Sequence, residues 1–181
     1  PKFISGGQKN GHDAKVLEKI WADWEKFASY AFNKSHATCY SWVAYQTAYL
    51  KAHYPSEYMA AVMSRNIANN SEITKLMAEC RAMGIQVLGP DVNESNLKFT
   101  ANKAGNIRYG LGAVKGMGES AVSGIIAERR KNGPFQSIYE MMQRVSTSAC
   151  NKKTLECLAQ CGALDSFGIA RERYFASNQK N

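Results

Sequence analysis

Between Val114 and Ile126 the chain reads VKGMGESAVSGII, and the chemistry this stretch offers lies more in its backbone than in its side chains. Gly116 and Gly118 flank Met117 at a tight turn, after which Ala121, Val122, Ile125 and Ile126 recur at helical spacing. A helix starting near Glu119 presents amide N–H groups without intrahelical partners, and these groups and the helix dipole together attract an anion such as phosphate. Glycine at the turn removes the Cβ that would obstruct close approach. Lys115 adds a mobile positive charge before the turn, whereas Glu119 sets a negative charge on the same helix end. A side chain at Gly118 is expected either to force the turn from its angles or to hold a phosphate away from the helix.

The layout is that of a helix-hairpin-helix, and it fits equally a helical corner that uses glycine only to turn. A second polar group stands at Asn33, Lys34, Ser35 and His36, between two helical patterns. It offers amide, ammonium, hydroxyl and imidazole donors beside a helix start, which suits a triphosphate as well as it suits capping. Two-metal nucleotidyl transfer needs closely placed carboxylates, and the chain has no Asp-x-Asp. Its three histidines, His12, His36 and His53, are scattered. The five cysteines, Cys39, Cys80, Cys150, Cys157 and Cys161, lack paired CxxC spacing and read as reduced, packed thiols. No catalytic residue and no metal ligand is therefore expected within this sequence.

The 181 residues have room for one domain of ordinary size or two small ones, with a formal charge of +8. Residues 1–98 carry 11 Lys and Arg against 9 Asp and Glu, and residues 99–181 carry 12 against 6, so the glycine turn lies in the more basic half. Such a surface favours nucleic acid over acidic protein or membrane. Arg129, Arg130, Lys131, Lys152 and Lys153 join Lys115, Gly116, Met117 and Gly118 as the expected DNA-binding residues. No apolar run of about 18 residues occurs and no charged leader precedes one, which predicts a cytoplasmic protein. The start at Pro1 points to a fragment or a processed chain.

The elements that must position these groups read as mainly α. Residues 1–12 read as a loop or a remnant. From Asp13, placed to cap or charge the helix start, the residues Val16, Leu17, Ile20, Trp21, Trp24 and Phe27 form an apolar helical stripe suited to core packing. The next helix, from Ala37, should end or kink at Pro55. A short helix follows over Ser56–Met63, then a helix capped by Asn69 or Ser71 and ended by Gly84. Ile85–Leu88 reads as a strand, and Asn96–Gly110 as a small hairpin with Phe99 and Ile107 facing the helices. Beyond the glycine turn, Gly133–Pro134 closes a helix, a short helix begins near Phe135, and Asn151–Cys161 is helical. Gly162 then turns the chain into a helix around Ile169, a degraded echo of the first hairpin.

The stretches KFISGGQKNGHDAKVLEKIWADWEKFASYAFNKSHA, YSWVAYQTAYLKAHYPSEYMAAVMS, ECRAMGIQVLGPDVNES, IRYGLGAVKGMGESAVSGIIAERRKNGPFQSI and KKTLECLAQCGALDSFG resemble, in order, the bacterial replicative C-family DNA polymerases. The resemblance covers nearly the whole chain. It implies fingers helices over residues 1–98, followed over 99–181 by a small β-hairpin and a tandem helix-hairpin-helix module. It places Lys34, Ser35 and His36 on the nucleotide-facing side of the fingers, and the backbone at Gly116 and Gly118 against a DNA phosphate. The implied partners are primer–template duplex, incoming deoxynucleoside triphosphate, the remaining polymerase domains and replisome subunits. The implied Mg2+ and catalytic aspartates belong to the palm. Gly89 stands where relatives commonly have a second proline, a change confined to a loop. A free-standing helix-hairpin-helix module of a repair protein accounts only for the second half of the chain, and a protein-interaction scaffold only for the aromatic helices.

Overall fold

The computed structural model describes residues 1–30, 34–146 and 150–175. Two compact units divide the chain, residues 1–49 and residues 50–181.

In the first unit, α1 (Lys2–Lys9) packs on α2 (Ala14–Tyr30). The expected loop over residues 1–12 is thus largely helix. Gly7 serves packing, since a Cβ there would stand 2.6 Å from Leu17 Cδ1. Asp13 caps α2 as its position predicts, accepting hydrogen bonds from the backbone N–H of Lys15 at 2.7 Å and of Val16 at 3.3 Å. The stripe on α2 does not form the expected core. Only Leu17 is buried, while Val16, Trp24 and Phe27 are exposed. Phe3 lies 4.9 Å from Trp24 and 5.9 Å from Trp21, so the aromatic residues cluster on the surface of the two-helix pair. The helix α3 (Lys34–His53) buries none of its residues.

The second unit has two hydrophobic cores. In the first, α4 (Pro55–Arg65) and α5 (Asn70–Ala82) enclose Met59, Met63, Ile73 and Cys80 with Phe99 and Ile107. Pro55 stands at the first turn of α4, where its missing N–H is harmless. Asn69, rather than Ser71, caps α5 by accepting from the N–H of Glu72. Three two-residue strands, β1 (Val87–Leu88), β2 (Thr100–Ala101) and β3 (Ile107–Arg108), form a sheet in the order β1-β3-β2. The predicted hairpin is the antiparallel pair β2–β3, and β1 joins β3 in parallel. The expected division at 98/99 falls inside this unit, and Phe99 packs in the same core as Met59 and Met63.

The second core gathers Val122, Ile125 and Ile126 of α6 (Glu119–Asn132), Met141 of α7 (Ile138–Arg144) and Leu158 of α8 (Lys152–Gln160) with Leu111, Phe135 and Leu164. Ser137 and Asn151 cap α7 and α8. The helix expected around Ile169 is instead two 3-10 turns, Asp165–Phe167 and Arg171–Tyr174, parted by Gly168 in the left-handed region. The architecture is mainly α with one small sheet, as the sequence predicts.

The loop from Asp91 to Asn96 is the hub of this unit. Asp91 Oδ1 accepts from the N–H of Asn93 and of Glu94, folding the loop on itself. Asn93 then exchanges two 2.8 Å hydrogen bonds with the backbone of Phe135. Val92 donates its N–H to Ala163 O, and buried Ser95 donates its hydroxyl to Tyr109 O.

Candidate nucleic-acid interface

Leu111–Ala113 forms a single 3-10 turn in front of the glycines, so the first arm of the leading hairpin is shorter than an α-helix. Gly116 has φ +88°, which L side chains rarely adopt, and a Cβ there would stand 3.0 Å from Cys157 Sγ. Gly118 differs. Its φ of −81° and ψ of 145° are ordinary extended angles, and nothing lies within 4 Å of an added Cβ. Of the two effects expected of a side chain at Gly118, strain in the turn has no support in this geometry, which leaves obstruction of a phosphate. No side chain caps α6 at Gly118, so the first-turn amides are left for solvent or an anion. Lys115, Gly116 and Gly118 are exposed, and Met117 is half-buried against the second core. Buried Ala121 and Val122 in the following turn fix the direction of the helix start.

The basic residues divide. Arg130 and Lys131 are exposed near the end of α6, and Lys152 and Lys153 are exposed at the start of α8. Arg129 is turned inward. Its guanidinium donates to Val92 O at 2.7 Å and Ser95 O at 2.9 Å, and burial pushes its pKa down. These donors hold the 91–96 loop to α6, so this member of the expected DNA-binding set has partners within the fold. Sequence reading missed Arg144 for the opposite reason, since an isolated cation gives no signal. Arg144 binds Glu128, Glu140 and the carbonyl of Gly133, with its guanidinium 4.5 Å from the Phe135 ring centroid. Those partners fasten α7 to the end of α6.

In the first unit, Lys34, Ser35 and His36 open α3 and are exposed. The His36 ring lies 4.3 Å from that of Tyr40. Lys34 lines an open hollow with Thr38, Cys39, Trp42 and Tyr45. Asn33, the first residue of the predicted polar group, lies outside the described residues.

A family model for the helix-hairpin-helix motif matches residues 84–174, and the chain belongs to that family. Over 92% of its length the chain is 45% identical to DNA polymerase III subunit alpha of Pseudomonas aeruginosa, and over 93% it is 44% identical to the subunit of that name from Escherichia coli K12. The Neisseria meningitidis serogroup B protein of the same name is 46% identical over 97% of the chain. These relatives bear out the resemblance to bacterial replicative polymerases. The chain spans 14–15% of their length. No helix among the described residues is long and apolar enough to cross a membrane.

Proposed function

We propose that this chain is the section of a DNA-directed DNA polymerase that holds duplex primer–template DNA by its phosphates, with the start of α3 facing the incoming deoxynucleoside triphosphate. The observation that carries the reading is the start of α6: a first turn with no side-chain cap behind exposed Gly118, an open approach at that glycine, and Lys115 beside it. Backbone donors of this kind position a duplex without reading its bases. Exposed Arg130, Lys131, Lys152 and Lys153 raise the local concentration of polyanion. Nucleotidyl transfer would take place on other parts of the polymerase, with the replisome subunits as further partners in the cytoplasm. No three His, Cys, Asp or Glu side chains among the described residues group as metal ligands.

Fluorescence anisotropy with labelled duplexes of unrelated sequence tests the reading. The 181-residue chain should bind them with similar affinity, and binding should weaken steeply as salt rises. Gly118→Val should keep the circular dichroism spectrum and lose roughly tenfold or more in affinity. Wild-type affinity of the folded variant at every salt concentration would remove the hairpin as the anchor.

A further inference from the structure

A second cleft, of about 360 Å³, opens along the flank of α6. One wall is Asn96, Leu97 and Lys98, and the other is Ser123, Ala127 and Arg130 on successive turns of the helix, with Ile126 between them. Lys98, Ser123 and Arg130 border solvent.

The polar groups of the cleft share one character. Lys98 and Arg130 contribute cationic donors and Ser123 a hydroxyl. The Asn96 side-chain oxygen is taken by Arg129 and Arg130 at 3.4 Å, which leaves its amide N–H groups as the side chain's remaining offer. No carboxylate lines the cleft. Leu97, Ile126 and Ala127 make the apolar part of its lining. Donors beside apolar side chains suit an anion that carries a hydrophobic body, and a phosphodiester with its sugar is such a group.

The 92–97 side of the cleft is tied down by hydrogen bonds. Arg129 holds the 92–96 segment to α6 through Val92 O and Ser95 O. On the far side the N–H groups of Leu111 and Gly112 donate to Asn96 O and Leu97 O at 2.9 and 3.0 Å. A wall fixed from both sides needs little ordering when a ligand arrives.

We propose that this cleft is a second phosphodiester-binding site, in which Lys98 and Arg130 pair with a backbone phosphate and the sugar rests on Leu97 and Ala127. The inference goes beyond the hairpin reading and does not depend on it, because it uses the side of α6 instead of its end. A nucleic-acid occupant is favoured over an acidic peptide by the chain's net charge of +8 and its membership of the helix-hairpin-helix family.

The test compares the wild-type chain with Lys98→Ala/Arg130→Ala, Ala127→Leu, Lys103→Ala and Gly118→Val, using labelled oligothymidylate and a labelled duplex over a salt series. The double variant should bind one or both probes roughly tenfold more weakly, with a salt slope smaller by about 0.7–0.9 for each phosphate no longer neutralised. The probe that weakens identifies the source of the phosphate as single or double strand. Ala127→Leu, which narrows the cleft without changing charge, should weaken the same probe. Lys103, an exposed lysine in the β2–β3 turn, reports the effect of net charge alone. An equal loss in Lys103→Ala and the double variant overturns the proposal, as does unchanged binding in the double variant. Displacement of the oligothymidylate by polyglutamate at equal charge concentration would also overturn it, in favour of an acidic peptide. A loss in Gly118→Val with none in the cleft variants leaves the hairpin reading standing and removes this one, and the reverse pattern separates them the other way.

Discussion

Cys157 holds its sulfur where a Cβ on Gly116 would press to 3.0 Å, so the first turn of the leading hairpin is seated on the helix of the second. Gly116→Ala meets two obstacles there, the positive φ and the thiol. It should destabilise the chain by about 1–3 kcal/mol in urea unfolding. Adding Cys157→Ala should recover the steric part and leave the backbone part. Gly118→Ala should cost no more than about 1 kcal/mol, the scale of a changed helix cap.

Arg129 and Arg130 are neighbours with opposite expected behaviour. Arg129→Met removes charged hydrogen bonds from the carbonyls of Val92 and Ser95 and should cost about 1.5–3 kcal/mol of stability. Below its melting temperature the variant should keep the wild-type salt slope for duplex DNA. Arg130→Ala should leave the melting temperature nearly unchanged. A reduced slope in folded Arg129→Met would return that residue to the DNA surface.

Acid should loosen the α6–α7 junction. Glu128 has its pKa held below the usual carboxylate value by hydrogen bonds from Asn132 and then Arg144, and Glu140 by the backbone N–H of Gln136 and then Arg144. A carboxyl with a lower pKa folded than unfolded binds fewer protons in the folded state. Its contribution is therefore complete above the ordinary glutamate pKa of about 4.3 and is lost as pH falls through the folded value. Thermal melts should show Glu128→Gln/Glu140→Gln losing less stability than wild type between neutral pH and that acid range. Parallel curves would show that the junction does not titrate.

The cysteines should separate by access. Cys39 is exposed, whereas Cys80 and Cys150 are buried, and burial pushes the pKa of both buried thiols upward. Iodoacetamide followed by peptide mass spectrometry should find Cys39 alkylated first, with Cys80 and Cys150 modified only after denaturant is added. Rapid native labelling of Cys80 would contradict its place beside Met59 and Met63.

Where side chains repeat with the period of their own helix, the sequence was informative. Ala121, Val122, Ile125 and Ile126 are all buried, as are Phe99 and Ile107 of the predicted hairpin. Caps at Asp13 and Asn69 were legible because their chemistry is local. Features set by distant partners were not. Gly7 reads as loop until Leu17 is brought against it, and Arg129 sits in an Arg-Arg-Lys run that looks like solvated surface. The α2 stripe shows the converse limit. Its period gives the helix correctly, yet periodicity does not say what covers the apolar face, and Trp24 and Phe27 are exposed. At the candidate site, the glycines and flanking lysine were readable, while the hold on Asn96 and Leu97 depends on backbone hydrogen bonds that no local pattern announces.

The 91–96 loop bears on how the second unit comes apart. It is tied to Tyr109, which packs on the first core, and to Phe135 and Ala163, which belong to the second. Separating the two cores breaks the Ser95–Tyr109 hydrogen bond or the bonds to Phe135 and Ala163. Amide exchange through large-scale opening should consequently give one shared protection ceiling for Ile107 and Ile125, making residues 50–175 a single cooperative foldon despite their two cores.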